Sequence, residues 1–124
     1  MDFIHSDDAP KAIGPYSQAV KAGNVIYTSG QVSLDPKTGE LVTGDFASQA
    51  RRVFENLRAV LEAGGAGFRN VTKATVFLTD LANFGALNLI YAEYFGDHKP
   101  ARTTVQVAGL PKGAQVEIDL VAVV

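Results

Sequence analysis

Gln115-Val116-Glu117-Ile118-Asp119-Leu120-Val121-Ala122-Val123-Val124, the C-terminal run of the chain, alternates and then stops alternating. From Val116 to Leu120, apolar and acidic residues take turns, the period-two pattern of a strand whose two sides differ. From Leu120 onward both sides are apolar, so neither suits bulk water. Before this strand lies the turn Gly109-Leu110-Pro111-Lys112-Gly113, and before that Arg102 to Val107 reads as a second strand. A helix is expected from about Leu81 to Phe95, closed by Gly96 and Pro100. Val71 to Thr79 reads as a strand, with Val76, Phe77 and Leu78 apolar on both faces. Upstream, Asp45 can cap a helix in which Ala50, Phe54, Leu57 and Leu61 recur at helical spacing. Arg51, Arg52, Glu55 and Arg58 lie off that stripe, and Gly64-Gly65 ends it. An extended segment through Val20, the turn signal Gly23-Asn24 and the β-rich Val25-Ile26-Tyr27-Thr28-Ser29-Gly30 form a hairpin pattern. Asp35-Pro36-Lys37-Thr38-Gly39 has the residue types of a surface turn.

Two helices interleaved with hairpin-connected strands describe an α+β sandwich, with the helices on one face of a mostly antiparallel or mixed sheet. Residues 1–124 fit one domain, since no repeat, low-complexity tract or linker divides them. Two helices cover only one face of such a sheet. The apolar residues on the other face then call for a second copy of the chain, and a symmetric oligomer is expected.

Composition narrows the chemistry. The formal net charge is −2 and the basic residues are dispersed, which argues against a nucleic-acid footprint of clustered Lys and Arg. There is no cysteine, hence no disulfide, thiolate metal site or thiol nucleophile. His5 and His98 are the only histidines and no spacing resembles a zinc motif, so no metal is expected. The opening Met1-Asp2-Phe3-Ile4-His5-Ser6-Asp7-Asp8 lacks the features of a signal peptide, and no apolar stretch approaches the ~20 residues of a membrane span. A cytoplasmic protein is the expectation.

Three groups of residues could carry chemistry. If the last two strands pair as a hairpin, apolar side against apolar side, Arg102 and Thr104 share a face with Glu117 and Asp119. That is either a cross-strand ion pair on a solvated face or an Arg offering its planar fork to a carboxylate ligand. Asn88 interrupts an aromatic stripe formed by Phe84, Tyr91 and Phe95, and must find hydrogen-bond partners in a neighbouring strand or in a ligand. Tyr16 and the pair Ser29-Gly30 form the third group. Glycine after a strand permits close backbone approach to an anion, and an ordinary strand end fits equally well. Gly64-Gly65-Ala66-Gly67 follows a helix and lacks the Lys-Ser/Thr of a phosphate-binding loop.

In this order, these landmarks resemble the reactive intermediate deaminase family (RidA, or YjgF-type proteins). The matching stretches are Ala12-Ile13-Gly14-Pro15-Tyr16-Ser17-Gln18-Ala19, Thr28-Ser29-Gly30-Gln31, and Asp35-Pro36-Lys37-Thr38-Gly39-Glu40. Further on come Thr75-Val76-Phe77-Leu78-Thr79-Asp80-Leu81, Asn88 with Tyr91, Pro100-Ala101-Arg102, and Leu110-Pro111-Lys112-Gly113 leading to Val116-Glu117-Ile118. The resemblance covers essentially the whole chain.

It implies a fold like that of trimeric bacterial chorismate mutases and a homotrimer with active sites in clefts between subunits. It also implies hydrolytic deamination of 2-imino acids such as 2-iminopropanoate and 2-iminobutanoate, or their enamine tautomers, to 2-oxo acids and ammonia without a cofactor. In cells that is metabolite-damage control downstream of pyridoxal-phosphate enzymes. Carried onto this sequence, Arg102 clamps the substrate carboxylate and Glu117 positions and activates water. Tyr16, Ser29, Gly30, Asn88 and Thr104 line the cleft. Two positions depart from the family pattern: Thr104 stands where many members have cysteine, and Lys99 where a phenylalanine often precedes Pro-Ala-Arg. Two further readings accompany the resemblance. One is a regulator that binds a 2-oxo or 2-imino acid in the same cleft without turnover, and the other is an endoribonuclease or translation inhibitor.

Overall fold

A computed structural model describes residues 1–124. Eight regular elements follow in chain order: β1 (Asp2–Ile4), β2 (Ala19–Ala22), β3 (Val25–Thr28), α1 (Phe46–Ala63), β4 (Val71–Leu78), α2 (Phe84–Phe95), β5 (Ala101–Gln106) and β6 (Val116–Val123). The six strands form one mixed sheet in the order β1-β2-β3-β6-β4-β5. Both helices pack on one face, so the α+β sandwich expected from the pattern is present. No helix is long and apolar enough to cross a membrane.

α1 begins where the Asp45 carboxylate accepts a hydrogen bond from the Ser48 backbone N–H at 2.9 Å, a conventional N-cap. Its buried stripe is the expected one, Ala50, Phe54, Leu57 and Leu61, widened by Val53 and Val60. These side chains meet Ile26 of β3, Ala74, Val76 and Leu78 of β4, and Val116, Ile118, Leu120 and Ala122 of β6 in one core. Gly64 ends the helix for a packing reason as well. A Cβ there would lie 2.8 Å from the terminal methyls of both Ile4 and Ile26. Gly23 and Asn24 join β2 to β3 as a two-residue hairpin turn, with Gly23 at φ 60°.

Three expectations are corrected. The helix expected from Leu81 starts at Phe84, because Leu81–Asn83 form a separate 3-10 turn whose start the Asp80 carboxylate caps. β1 was not anticipated; it pairs antiparallel with β2 at the sheet edge. The most consequential correction concerns the last two strands, which do not pair with one another. β4 lies between them, parallel to β5 and antiparallel to β6. A parallel neighbour requires a crossover, and α2 supplies it between β4 and β5. The chain then passes the end of β4, where Val107 N–H donates to Leu78 O and Thr79 N–H to Gln115 O, before β6 begins.

This register divides the side chains differently from a hairpin. Arg102 stands beside Ala74 and Leu120, and Thr104 beside Val76 and Ile118, all on the helix-covered face. Glu117 stands beside Phe77, and Asp119 beside Thr75, on the opposite face. That opposite face carries no helix. Phe3, Tyr27, Val105 and Val123 are exposed on it, alongside the half-buried Val20, Val25 and Val121. The bare apolar sheet face anticipated from the C-terminal strand is therefore real.

Candidate active site

The site residues form two clusters, one on each side of the sheet. The first surrounds Glu117. β3 pairs with β6 as far as Tyr27 opposite Val121, and pairing resumes as an isolated bridge between Gln31 and Ile118. Four steps along one chain thus face three along the other, an extra residue of the kind that re-aims a strand. The gap is closed by Thr28, whose hydroxyl oxygen accepts the Leu120 N–H at 2.9 Å in place of a backbone carbonyl. The displaced segment lays Gly30 directly over the Glu117 side chain. A Cβ at Gly30 would fall 2.8 Å from Glu117 Cδ and 3.0 Å from Cγ, so glycine is required by contact rather than by backbone angle.

Tyr16 and Gly30 join Glu117 in lining a cleft of about 90 Å³, which the basic residues Lys11 and Lys112 also border. Burial pushes the Glu117 carboxyl above the usual carboxylate range, and the neighbouring Asp119 charge adds to the rise. Asp119 is also raised by burial, but a hydrogen bond from Thr75 and the charge of Lys73 oppose it. Of the two carboxylates, Glu117 alone borders the cleft, which suits it to proton transfer.

Ser29 borders this cluster without opening its hydroxyl to it. Ser29 Oγ donates to Ser17 O at 2.6 Å, and Ser29 N–H donates to Gln18 O at 2.9 Å. Ser29 therefore ties the Tyr16-bearing segment to the Gly30 segment. Three buried polar residues that sequence reading did not single out hold the same walls. Gln18 donates to Ala9 O and Pro10 O and accepts the Ser6 N–H, pinning the N-terminal segment. Asn56, fully buried on α1, donates to Val32 O and Leu34 O. Gln49 accepts from the Ser33 hydroxyl and from the Gln115 N–H. Asn56 and Gln49 sit inside an apolar helix pattern, and that interruption was the available signal.

The second cluster gathers around Arg102. Its guanidinium carbon lies 4.8 Å from the Tyr91 ring centre and 5.4 Å from that of Phe84, both on α2. No carboxylate pairs with it: the ion pairs of the chain are His5–Asp7, Arg51–Glu93, Arg58–Glu55 and Arg69–Asp97. Thr104, two residues along β5, has a buried hydroxyl with no hydrogen-bond partner. Asn88 lies one helical turn before Tyr91 and is half-buried. An arginine stacked on rings and free of carboxylates keeps its planar fork available to an anion. The expected Arg102–Glu117 neighbourhood is thus absent within one chain. The sheet separates the Arg102, Thr104 and Asn88 half from the Tyr16, Gly30 and Glu117 half.

Comparison with known proteins places these features in a family. The sequence pattern of the family described as Endoribonuclease L-PSP matches residues 6–124. A RutC family protein of Pyrococcus horikoshii is 51% identical over 121 residues, which is 98% of this chain and 96% of that one. A 2-iminobutanoate/2-iminopropanoate deaminase of Mus musculus is 50% identical over 120 residues, covering 97% of this chain and 89% of the mouse protein. The crystal structure of RidA from an Antarctic Psychrobacter superposes with a TM-score of 0.96 at 48% identity, each chain being covered in full. The fold, the sequence landmarks and these likenesses agree: the chain belongs to the reactive intermediate deaminase family, the RidA or YjgF-type proteins.

Proposed function

We propose that the protein hydrolyses small 2-imino acids, 2-iminopropanoate and 2-iminobutanoate among them, to 2-oxo acids and ammonia. It does so without a cofactor, in the cytoplasm, as a homotrimer. One observation carries the reading: Arg102 has no carboxylate in its own chain, its guanidinium lying over the Tyr91 and Phe84 rings. A substrate carboxylate is the missing partner. The bare sheet face supports assembly, and assembly lets Arg102 of one subunit face Glu117 of the next across a shared cleft.

The chemistry asks little of such a cleft. The protonated imine carbon is electrophilic, and Arg102 fixes the adjacent carboxylate in two-pronged fashion. Glu117 accepts a proton from water as the new C–O bond forms, giving a carbinolamine. It hands that proton to the amine nitrogen and takes the hydroxyl proton as the C–N bond breaks. The proton then passes to the departing ammonia, which leaves as ammonium beside the 2-oxo acid. Gly30, having no Cβ, lets the carboxylate sit against the backbone at the edge of the cleft. A carboxyl raised toward neutrality accepts and returns a proton more evenly than an ordinary one.

The test uses 2-iminopropanoate generated in the assay. Arg102→Lys and Glu117→Gln are each expected to lose most background-corrected turnover. Refolded together in equal amounts, they should recover about one quarter of wild-type activity. That is the share of clefts that draw a native Arg102 from one chain and a native Glu117 from its neighbour in a randomly mixed ring. No recovery in mixed, fully assembled trimers would overturn the shared cleft, and an inactive wild type would overturn the reaction.

A further inference from the structure

The chain carries a formal charge of −2, yet the cleft beside Glu117 is bordered by two cations and that one carboxyl. The cations are Lys11 and Lys112. Both are exposed, so a ligand entering the cleft can reach them, and neither belongs to an ion pair of the chain. The Lys112 ammonium donates to Gly39 O at 3.4 Å, which leaves two of its three protons free. Ile13, Val32 and Leu34 supply apolar lining to the same cleft.

Lys112 is unusual in its backbone as well. At φ 58° it is the one residue other than glycine in the left-handed region, and Gly113 follows it at φ 75°. A Cβ crowds the following carbonyl in that conformation, so turns of this shape favour glycine or asparagine. A lysine there holds an ammonium at the cleft in spite of the strain, and strained backbone of this kind gathers at ligand sites.

We propose that the cleft accepts 2-imino acids whose short side chain ends in a second carboxylate, and that Lys11 and Lys112 bind that group. The proposal rests on the deaminase reading given above. On that reading Arg102 of one subunit holds the carboxylate next to the imine carbon, while Glu117 of the next subunit moves the proton. The lysines belong to the Glu117 side, so they meet the end of the substrate that points away from Arg102. The apolar lining suits the methylene that joins the imine carbon to the second carboxylate, and a cleft of about 90 Å³ suits a short link. Water adds and ammonia leaves as before, so 2-iminosuccinate gives oxaloacetate and ammonium.

Oxaloacetate and 2-oxobutanoate are four-carbon 2-oxo acids that differ in their ends, a carboxylate against a methyl. The wild type should bind freshly dissolved oxaloacetate about 10-fold more tightly in calorimetry, the effect of charge-assisted hydrogen bonds to exposed ammonium groups. Its kcat/KM should favour 2-iminosuccinate over 2-iminobutanoate, both generated in the assay, by a similar factor. Lys11→Met and Lys112→Met should each lower these ratios roughly 3-fold, and the double variant should bring them to about one. Lys112→Arg retains a cation and should restore part of the preference. Lys112→Gly should repeat the loss in a turn free of strain, so that the fall is not a folding defect.

Equal affinity of the wild type for the two acids, or a preference that survives in the double variant, would overturn the proposal, and turnover of 2-iminobutanoate would leave the deaminase reading standing. Equal losses for both acids in Lys112→Met, with a lower melting temperature, would overturn it in favour of a lysine that ties down the 35–39 turn through Gly39. Lysine-dependent binding of oxaloacetate without hydrolysis of either imine supports the carboxylate site and overturns the reaction. A wild type that binds neither acid and turns over neither imine overturns both.

Discussion

Gly30 and Glu117 are in direct contact across the turn that follows β3, and the contact leaves no room for a methyl group. A Cβ built at Gly30 comes closest to the Glu117 carboxylate, and lies 2.8 Å from its Cδ. The atoms in the way are the far end of a flexible side chain, so the fold can yield where the site cannot. Gly30→Ala is expected to displace the carboxylate and lower imine turnover by about 10- to 100-fold, approaching loss of the proton-transfer group. The melting temperature should change little. A thermal scan and a background-corrected assay on one preparation check both; a variant with normal turnover would show that Glu117 does not need that position.

Arg102→Ala should be nearly neutral for stability. Had Arg102 faced Glu117 in its own chain, truncation would have stranded a half-buried carboxylate at a cost of ~3–5 kcal/mol. The guanidinium instead lies over the Tyr91 and Phe84 rings, a contact of about 0.5–1 kcal/mol. Denaturant unfolding of Arg102→Ala decides between these magnitudes. Arg102→Lys should retain the fold and lose most activity, since an ammonium cannot offer two parallel donors.

Glu117→Gln should slow hydrolysis by roughly 10²-fold or more, while 2-oxo acids bind about as well as before. Its stability effect has a definite sign. Because folding raises the Glu117 pKa, the native state holds more protons than the unfolded state between the ordinary carboxylate value and the raised one. Stability from this group therefore falls as pH rises through that window, and ionisation at neutral pH opposes folding. Glutamine removes the opposition. The variant should melt higher than the wild type at pH 7, and the gap should vanish below the carboxylate range. A lower melting temperature at pH 7 would show that the carboxylate is paired in the assembled protein. Asp119→Asn is the control: Asp119 does not line the cleft, and its turnover should fall less.

Much of this architecture could be read from residue pattern, and the errors have a common origin. The α1 stripe, the Asp45 cap, the Gly23-Asn24 hairpin and the bare apolar sheet face all follow from local periodicity or from the amount of apolar surface. Strand order does not. A hairpin of the last two strands puts Arg102 on the acidic face with Glu117, yet β5 is an edge strand and the side toward α2 is where Arg102 finds rings to lie on. Choosing β4 rather than β5 as the partner of β6 reversed which residues share a face. β1 was missed because three residues are too few to show alternation. Residue types nevertheless single out members of both clusters before the strand order is known, because an arginine, a glutamate and an isolated asparagine in apolar surroundings stand out wherever the strands run.

Asn56→Leu should test how far the Gly30 wall depends on α1. The side chain is fully buried, donates to Val32 O at 3.3 Å and to Leu34 O at 2.9 Å, and accepts from Arg52 Nε at 3.0 Å. Leucine has similar bulk but takes the donor from Leu34 O, at about 1–3 kcal/mol, while Val32 O keeps the Leu34 N–H at 2.8 Å. A loss of roughly 1–3 kcal/mol in denaturant unfolding is expected, with turnover reduced beyond what the unfolded fraction explains. Full activity at low temperature would mean that the 31–34 segment holds its course without α1.

The chain contains no tryptophan and four tyrosines, so tyrosine dominates its intrinsic ultraviolet emission over the weaker phenylalanines. Tyr91 touches the Arg102 guanidinium, whereas Tyr16 lines the cleft above Glu117 on the far side of the sheet. Tyr94 lies in the aromatic core and Tyr27 on the bare sheet face. Each of these four places therefore carries its own chromophore. Keeping one tyrosine and replacing the other three by phenylalanine turns the molecule into a set of label-free optical reporters: one each for the Arg102 surroundings, the Glu117 cleft, the aromatic core and the bare sheet face.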